Sequence, residues 1–597
     1  MQRGFGRAQV HHVSCRSGRV APPRLGILLA FLLCSCSIER ASTPSLLLLT
    51  LDTTDPAALG CYGGPAGLTP NLDRLAREGI LFEDARAVAP ITLPAHASLL
   101  TGLYPVRHSV RRNGETRLPD EALTLAERAR ERGYQRAAFV SAVVLAPEFG
   151  LSQGFERYEA PATPDDVAEQ LGASLRASEI AARATRWLAE RDPARPFFLW
   201  LHFYDPHFPY HPPPEFLARA GGDAYLGEVA AMDGAIGTVL ETLARAGLYE
   251  NTLIVAAADH GESRGRHGEE THGAFAFDST LRIPLLARLP GGVRAGERVR
   301  APVSQVDVAP LVAAVLGWEP RREQLALDGR DPLGGGGGQG VYFESYFGTK
   351  SFGWSPLAGW TDGRLKYVHS SAPELYDLAA DPDETRNAAA ERPREVVGLR
   401  RRVEELCALP RLARLPLEDP GDLPREIERL GYAGAGSGAE EDDPEPLALS
   451  ASPSPHRMAA AYAAYMEGRK LFEEKGSREQ AIALLERAVE ANPENHKAWF
   501  TLGLARQDLL RFAAAADAFR RALAVPGGER ISAQLNLAVC LYNLGRRADA
   551  LRELESALAR TDGPPGALDL MIRLLEESGR TEDARRARLR LGARGQP

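Results

Sequence analysis

The chain has 597 residues, 44% of them hydrophobic and 25% charged, enough for more than one globular domain. Its net charge of -8 leaves no basic stripe, which excludes nucleic acid as an expected partner. Six cysteines, at 15, 34, 36, 61, 407 and 540, follow no framework spacing and exclude a disulfide scaffold or a thiolate metal site.

Arg16, Arg19 and Arg24 precede an apolar run, Leu25 to Leu33, too short to span a bilayer. Leu33-Cys34-Ser35-Cys36 resembles a bacterial lipobox, with Cys36 as the acylated residue. A plain secretory signal and a retained anchor are the alternatives. The expectation is a signal peptide over 1–36, export to a periplasmic or cell-surface location, and a lipid anchor that holds the protein on a membrane face.

Ser45 to Leu51 is a continuous apolar run, as expected of a strand buried on both faces. It ends at Asp52, and ligands gather at the carboxyl ends of strands in open α/β sheets. Thr69 to Gly79 reads as a helix with an N-cap, a proline in its first turn and a glycine stop. In the stretch from Ala89 to Pro105, Pro94 suits a first helical turn and Gly102 a left-handed C-cap. Thr92 then sits at a helix N-terminus, where free N–H groups and the dipole favour an anion. An ordinary N-capping threonine is the other reading.

Further buried-strand candidates are Ala137–Ser141, Pro196–His202, Leu253–Ala258, Leu285–Leu289 and Val341–Glu344, with helices such as Val167–Ala189 and Tyr225–Ala246 between them. This alternation predicts an α/β domain over 45–410, a mainly parallel sheet flanked by helices. From 411 to 457, Pro, Gly, Ser and acidic residues predict a disordered linker, and with it repeats that fold independently of the α/β domain. Beyond it a period of 34–35 residues appears: Ala481, Leu485 and Ala488 recur as Ala515, Phe519 and Ala522, then as Ala550, Leu554 and Ala557. Small residues at these offsets let paired helices pack closely, as tetratricopeptide repeats require, so 458–597 is predicted to be an all-α helical-repeat domain with a protein partner.

Thr92-Leu93-Pro94-Ala95-His96-Ala97-Ser98-Leu99-Leu100-Thr101-Gly102-Leu103-Tyr104-Pro105, with Arg107 and His108, resembles the signature of the sulfatase family in the alkaline-phosphatase superfamily. Gly60-Cys61-Tyr62-Gly63, Asp259-His260-Gly261-Glu262-Ser263, Thr271-His272-Gly273, Asp205-Pro206-His207 and Glu374-Leu375-Tyr376-Asp377-Leu378 match further family motifs. Thr92 stands where that family has its modified cysteine, and His96 where it has arginine. The resemblance therefore implies a threonine nucleophile and no formylglycine. It implies a divalent metal (zinc, manganese or calcium) held by Asp52, Thr92, Asp259 and His260. His207 and His272 are the implied acids, and His96, Asn113 and His211 the implied substrate contacts. His207, His211 and His272 are alternatively the ligands of a second metal.

The departures from the family pattern are as informative. Thr53 replaces a second aspartate, and His272 takes the place of a family lysine. The expected activity is metal-dependent hydrolysis of sulfate or phosphate esters. Phosphate is favoured, because Thr92 has no second hydroxyl with which to expel sulfate by elimination. The alternatives are a phospho-group transferase acting on envelope glycan or lipid, and a repeat scaffold with a decayed catalytic domain.

Overall fold

The computed structural model describes residues 43–161, 176–318, 326–335, 338–417, 443–525, 530–560 and 563–592. The signal segment 1–36 with its lipobox, the first part of the helix predicted at 167–189 and most of the expected linker lie outside them. Among the described residues no helix is long and apolar enough to cross a membrane.

The predicted strand at Ser45–Leu51 is β1, and all seven of its residues are buried. It lies at the centre of a nine-stranded sheet. In chain order the others are β2 (Ile80–Arg86), β3 (Gln135–Phe139), β4 (Arg157–Glu159), β5 (Phe197–Phe203), β6 (Thr252–Ala258), β7 (Arg282–Arg288), β8 (Glu297–Val299) and β9 (Val303–Ser304). The spatial order is β9-β2-β7-β6-β1-β5-β3-β4, with β8 on β2. β1 pairs in parallel with both β5 and β6. The sheet is mixed at one place: β7 runs antiparallel to β6 and β2.

Register positions the chemistry. Leu51 pairs with Phe203 on one side and Ala258 on the other, so Asp52 and Asp259 leave adjacent strands at the same level. Flanking helices α1 (Pro70–Glu78), α2 (Thr92–Thr101), α3 (Ala177–Glu190) and α4 (Ala224–Arg245) cover the sheet. α2 is buried at every residue, and Gly102 ends it in the left-handed conformation that only glycine adopts without strain.

The run predicted at Val341–Glu344 is a strand, β10 (Val341–Ser345), but it belongs to a separate sheet. With β11 (Leu357–Thr361), β12 (Leu365–His369) and β13 (Glu374–Asp377) it forms an antiparallel meander. Three apolar-aromatic residues followed by Glu344 cannot distinguish a parallel from an antiparallel partner; the connections that follow decide it.

The C-terminal region is a run of paired helices: α5 (Ala459–Glu473) and α6 (Arg478–Ala491), α7 (His496–Asp508) and α8 (Phe512–Ala524), α9 (Arg530–Asn543) and α10 (Arg547–Leu558), α11 (Pro565–Glu577) and α12 (Thr581–Gly592). The periodic positions Ala481, Leu485, Ala515, Phe519, Ala550 and Leu554 are all fully buried. Gly503 shows why the period demands small residues: a Cβ there would lie 2.6 Å from the Phe519 ring.

The expected independence of the repeats is corrected by their packing. Tyr462, Tyr465 and Leu485 belong to the same hydrophobic cluster as Phe275, Phe352 and Trp354 of the α/β domain. The longer described part of the expected linker, 443–457, is hydrogen-bonded along its length, and in the shorter part, 411–417, Leu412 N–H donates to the Arg107 carbonyl at 2.8 Å. Asp443 pairs with Arg112 at 2.5 Å, Pro444 accepts from Tyr346 at 2.7 Å, and Pro453 accepts from Ser355 N–H at 3.0 Å. A polar, proline-rich composition suits solvated chain, but it equally suits a strap whose carbonyls are satisfied by side chains far away in sequence.

Candidate active site

Asp52, Asp259 and His260 lie at the carboxyl ends of β1 and β6, fully buried, and one ligand atom from each falls within 4.8 Å of the others. Asp259 Oδ1 is used locally, accepting from Thr53 N–H at 3.1 Å and His260 N–H at 2.8 Å. Asp259 Oδ2 and both oxygens of Asp52 have no hydrogen bond of good geometry. Burial pushes both carboxyls well above the ordinary carboxylate range, and for Asp259 the neighbouring Asp52 adds to it. Dry, unpaired carboxylates of this kind are costly unless a cation neutralises them. The donor set, two carboxylates and an imidazole, fits a divalent metal.

α2 brings the fourth group. Its first residue, Thr92, is fully buried, and its hydroxyl lies 3.3 Å from His260 Nε2. His260 Nδ1 faces the Gly261 carbonyl at 3.2 Å, so its proton belongs on Nδ1 and Nε2 is left as an acceptor. Burial pushes His260 down to about 3, so the ring is neutral, as a metal ligand must be. The N-terminal end of α2 is tied by Asn113, whose Oδ1 accepts from Leu93 N–H at 2.9 Å. Asn113 Nδ2 is buried without a partner among the described residues, a donor beside the threonine.

His207 and His272 meet. Their Nε2 atoms are 3.1 Å apart. His207 Nδ1 lies 2.8 Å from the Tyr204 hydroxyl and 2.6 Å from the Phe208 carbonyl, and His272 Nδ1 lies 3.1 Å from the Pro90 carbonyl. Each carbonyl calls for an Nδ1–H, which would set two Nε2 lone pairs against each other. A shared proton, or a cation, resolves that conflict. Burial pushes both rings well below the ordinary histidine range, with the neighbouring imidazoles adding to it. The His272 ring also stands 4.2 Å from that of His260, so the pair adjoins the carboxylate cluster.

Two sequence-predicted residues are placed differently from the rest. His96 turns its Nδ1 back to the Thr92 carbonyl at 2.8 Å, and burial, reinforced by His202, pushes it well below its usual range. The ring that stands in the arginine position thus brings no positive charge. His211 is exposed, and only its N–H is tied, to Glu228 at 2.7 Å.

Three further residues belong to the site. His202, at the end of β5, places Nε2 3.2 Å from Asp52 Oδ2, while its Nδ1 accepts from Ser141 N–H at 3.3 Å. The strand-end logic that singled out Asp52 applied equally to it. Glu262 is buried with neither oxygen in a hydrogen bond of good geometry among the described residues, and burial, then Glu269, then Asp52 drive its carboxyl well up. Thr53 has φ 48°, a left-handed conformation that strains a β-branched residue by about 1–3 kcal/mol. Its backbone is clamped on both sides, by Asp259 and by the Tyr225 hydroxyl, which donates to its carbonyl at 2.9 Å. Sequence alone carried no signal for that strain.

Each of the two domains has known counterparts. Residues 44–318 match the sulfatase family model, and residues 465–529 and 500–567 match the tetratricopeptide repeat model. Steryl-sulfatase of Rattus norvegicus is 27% identical over 427 residues, covering 52% of this chain and 73% of its own. The ulvan-active sulfatase of Formosa agariphila is 28% identical over 358 residues, covering 51% and 69%. Among solved structures, the phosphonate monoester hydrolase of Agrobacterium radiobacter superposes with a TM-score of 0.53 at 25% identity, over 61% of this chain and 95% of that one.

Proposed function

We propose that this chain, a sulfatase-family domain followed by tetratricopeptide repeats, is a metal-dependent ester hydrolase whose nucleophile is Thr92 and whose preferred substrates are phosphorus esters rather than sulfates. The observation that carries the reading is the approach of the Thr92 hydroxyl to His260, beside oxygens of Asp52 and Asp259 that lack a hydrogen bond of good geometry among the described residues. Asp52, Asp259, His260 and Thr92 would hold a divalent cation, which would supply positive charge for the ester oxygens and acidify the threonine hydroxyl.

The chain's own groups do the rest. Thr92 Oγ1, its proton released to solvent, attacks phosphorus in line. The bond from phosphorus to the alcohol oxygen breaks, and that oxygen takes the proton held between His207 and His272. Asn113 Nδ2 donates to a non-bridging oxygen. Water then attacks the phosphothreonine, gives its proton to the histidine pair, and Thr92 leaves as it began. Burial keeps the pair neutral in the empty pocket, and an anionic ester pulls the other way, so the proton arrives with the substrate.

Phosphorus is preferred because a sulfated threonine lacks the second hydroxyl needed for elimination, whereas a phosphothreonine is open to in-line attack by water. A panel of aryl sulfate, phosphate monoester, phosphate diester and phosphonate monoester, each with metal add-back, tests this. Faster turnover of aryl sulfate than of every phosphorus ester overturns the preference. A second reading, a second cation between His207 and His272, is favoured by the same 3.1 Å approach; metal content of two per chain rather than one selects it.

Residues 1–36 are proposed to direct export and lipid anchoring, which a Cys36→Ser variant released from the membrane fraction would support and an unchanged distribution would refute.

A further inference from the structure

The loop that leaves β6 after Asp259 carries both His260 and His272, and it is pinned at successive points. Ser345 donates to the Gly273 carbonyl at 2.6 Å. Glu269 accepts from Ala274 and Phe275 N–H groups at 2.7 and 3.2 Å. Asp278 reaches Lys366 at 3.0 Å. One further tether comes from outside the α/β domain, from the strap that leads into α5.

That tether is His456. Its Nε2 faces Ala276 N–H at 3.4 Å. A backbone N–H only donates, so Nε2 carries the lone pair and the proton sits on Nδ1, 2.5 Å from Glu374 Oε2 on β13. The ring stacks on Phe277 with centroids 4.0 Å apart and planes at 17°, and Phe277 stacks in turn on His267 at 3.7 Å and 12°. Six residues on, Tyr462 of α5 packs edge-on against Phe275 at 5.7 Å. The α5 backbone also closes on this loop: a Cβ at Gly268 would stand 3.4 Å from the Ala459 carbonyl oxygen. One imidazole thus joins the second sheet, the strap and the chain four residues beyond His272.

We propose that His456 is a positioning residue for the reaction, and that the start of the repeat domain is part of the catalytic apparatus. It rests on the reading that His272, with His207, serves the leaving oxygen. His272 has its Nδ1 on one carbonyl, so where Nε2 points is set by the loop, and the loop is set in part by His456. A displacement of about 1 Å at such a group costs on the order of 100-fold in rate.

The test uses the full-length chain and esters of whichever acid the substrate panel selects, one with an alkyl and one with a nitrophenyl leaving group. His456→Ala is expected to lower kcat on the alkyl ester by about 10–100-fold. It should leave KM within about threefold, change the nitrophenyl ester little because nitrophenolate leaves without a proton, and speed amide exchange over 261–277. His456→Gln, which retains an acceptor and a donor, should restore most of the loss. Equal loss on both esters, no loss on either, or no rescue by glutamine overturns the proposal. His272→Ala is measured alongside. If it slows both esters alike, the reading of His272 as acid fails, and positioning is then judged by whether His456→Ala reproduces that same pattern; a different pattern overturns it. Should His456→Ala melt too low to assay, Phe277→Leu, which removes only the stacking, is held to the same expectations.

Discussion

At the level of single residues, the site is built around a few buried polar atoms left without a hydrogen bond among the described residues, chiefly both oxygens of Asp52, Asp259 Oδ2 and Asn113 Nδ2. Thr92→Ala should lower kcat by about 1,000-fold or more while the melting temperature stays within a few degrees, since it removes a hydroxyl acting in the transition state. Thr92→Ser should retain activity, and quenched turnover of the wild type should show a covalent mass increase that the alanine variant lacks. The two aspartates give a second expectation. Their carboxyls are raised in the metal-free fold, so that fold binds more protons than the unfolded chain. Its stability from these groups is greatest at low pH and is lost as pH rises through the raised values. A bound cation needs both carboxylates ionised, so its stabilisation grows as pH rises. The melting-temperature gap between metal-loaded and chelated protein should therefore widen from about pH 5 to pH 8; a gap that narrows would remove the aspartates from the metal site. Most of this cluster was legible in the sequence, because Asp52, Asp259 and His260 end apolar runs and Thr92 begins a helix. The charge state of His96 was not legible, because it is set by complete burial and by the neighbouring His202, neither of which spacing along the chain reveals.

At the level of elements, what matters is how strand ends are held at one height. The turn after β1 is strained at Thr53, and the clamp that holds it is Tyr225 of α4, whose hydroxyl donates to the Thr53 carbonyl and accepts from Asp55 N–H, both at 2.9 Å. Tyr225→Phe removes both bonds and nothing else. The expected result is metal affinity weakened by about 10–100-fold, as when supporting partners of ligands are removed, with kcat recovered at saturating metal. Unchanged affinity by titration calorimetry would show that the turn holds itself. In the repeats, Gly503→Leu should break the α7–α8 contact, because Phe519 is fully buried and has nowhere to move. Loss of helical ellipticity at lower temperature is the readout. Element positions were largely readable: β1 has the predicted bounds, and α4 differs from its predicted range by one residue at each end. Partners were not, since the apolar stretches of β7 and β10 resemble those of the parallel strands β1, β5 and β6, and direction is decided by connections rather than by pattern.

At the level of the whole molecule, the boundary between cooperative units does not coincide with the compositional boundary. The sequence places it in the polar stretch 411–457, because composition registers solvation and is blind to long-range hydrogen bonds such as those from Arg112, Tyr346 and Ser355 to the strap. The apolar packing places it inside the repeats. Residues of α5, α6 and α7 share the cluster of the α/β domain, whereas α9 to α12 form a second cluster with Phe519 of α8. Cutting the chain after residue 442 would uncover Phe275, Phe352 and Trp354, which are 0%, 2% and 3% exposed. Each fully exposed side chain of this kind forfeits about 1.5–3 kcal/mol, so the three together approach the roughly 5–15 kcal/mol that holds a whole domain folded. That truncation should aggregate or melt far below the intact chain, and its ester hydrolysis should be lost. Cutting after residue 560, which removes only α11 and α12, should instead leave turnover near that of the full chain, because neither helix touches the cluster around Phe275. Calorimetry of the intact protein should then show two transitions, a low one lost with the outer repeats and a high one that carries activity and shifts with metal. A truncation at 442 that melts and turns over like the intact chain would restore the compositional boundary and make the strap a tether.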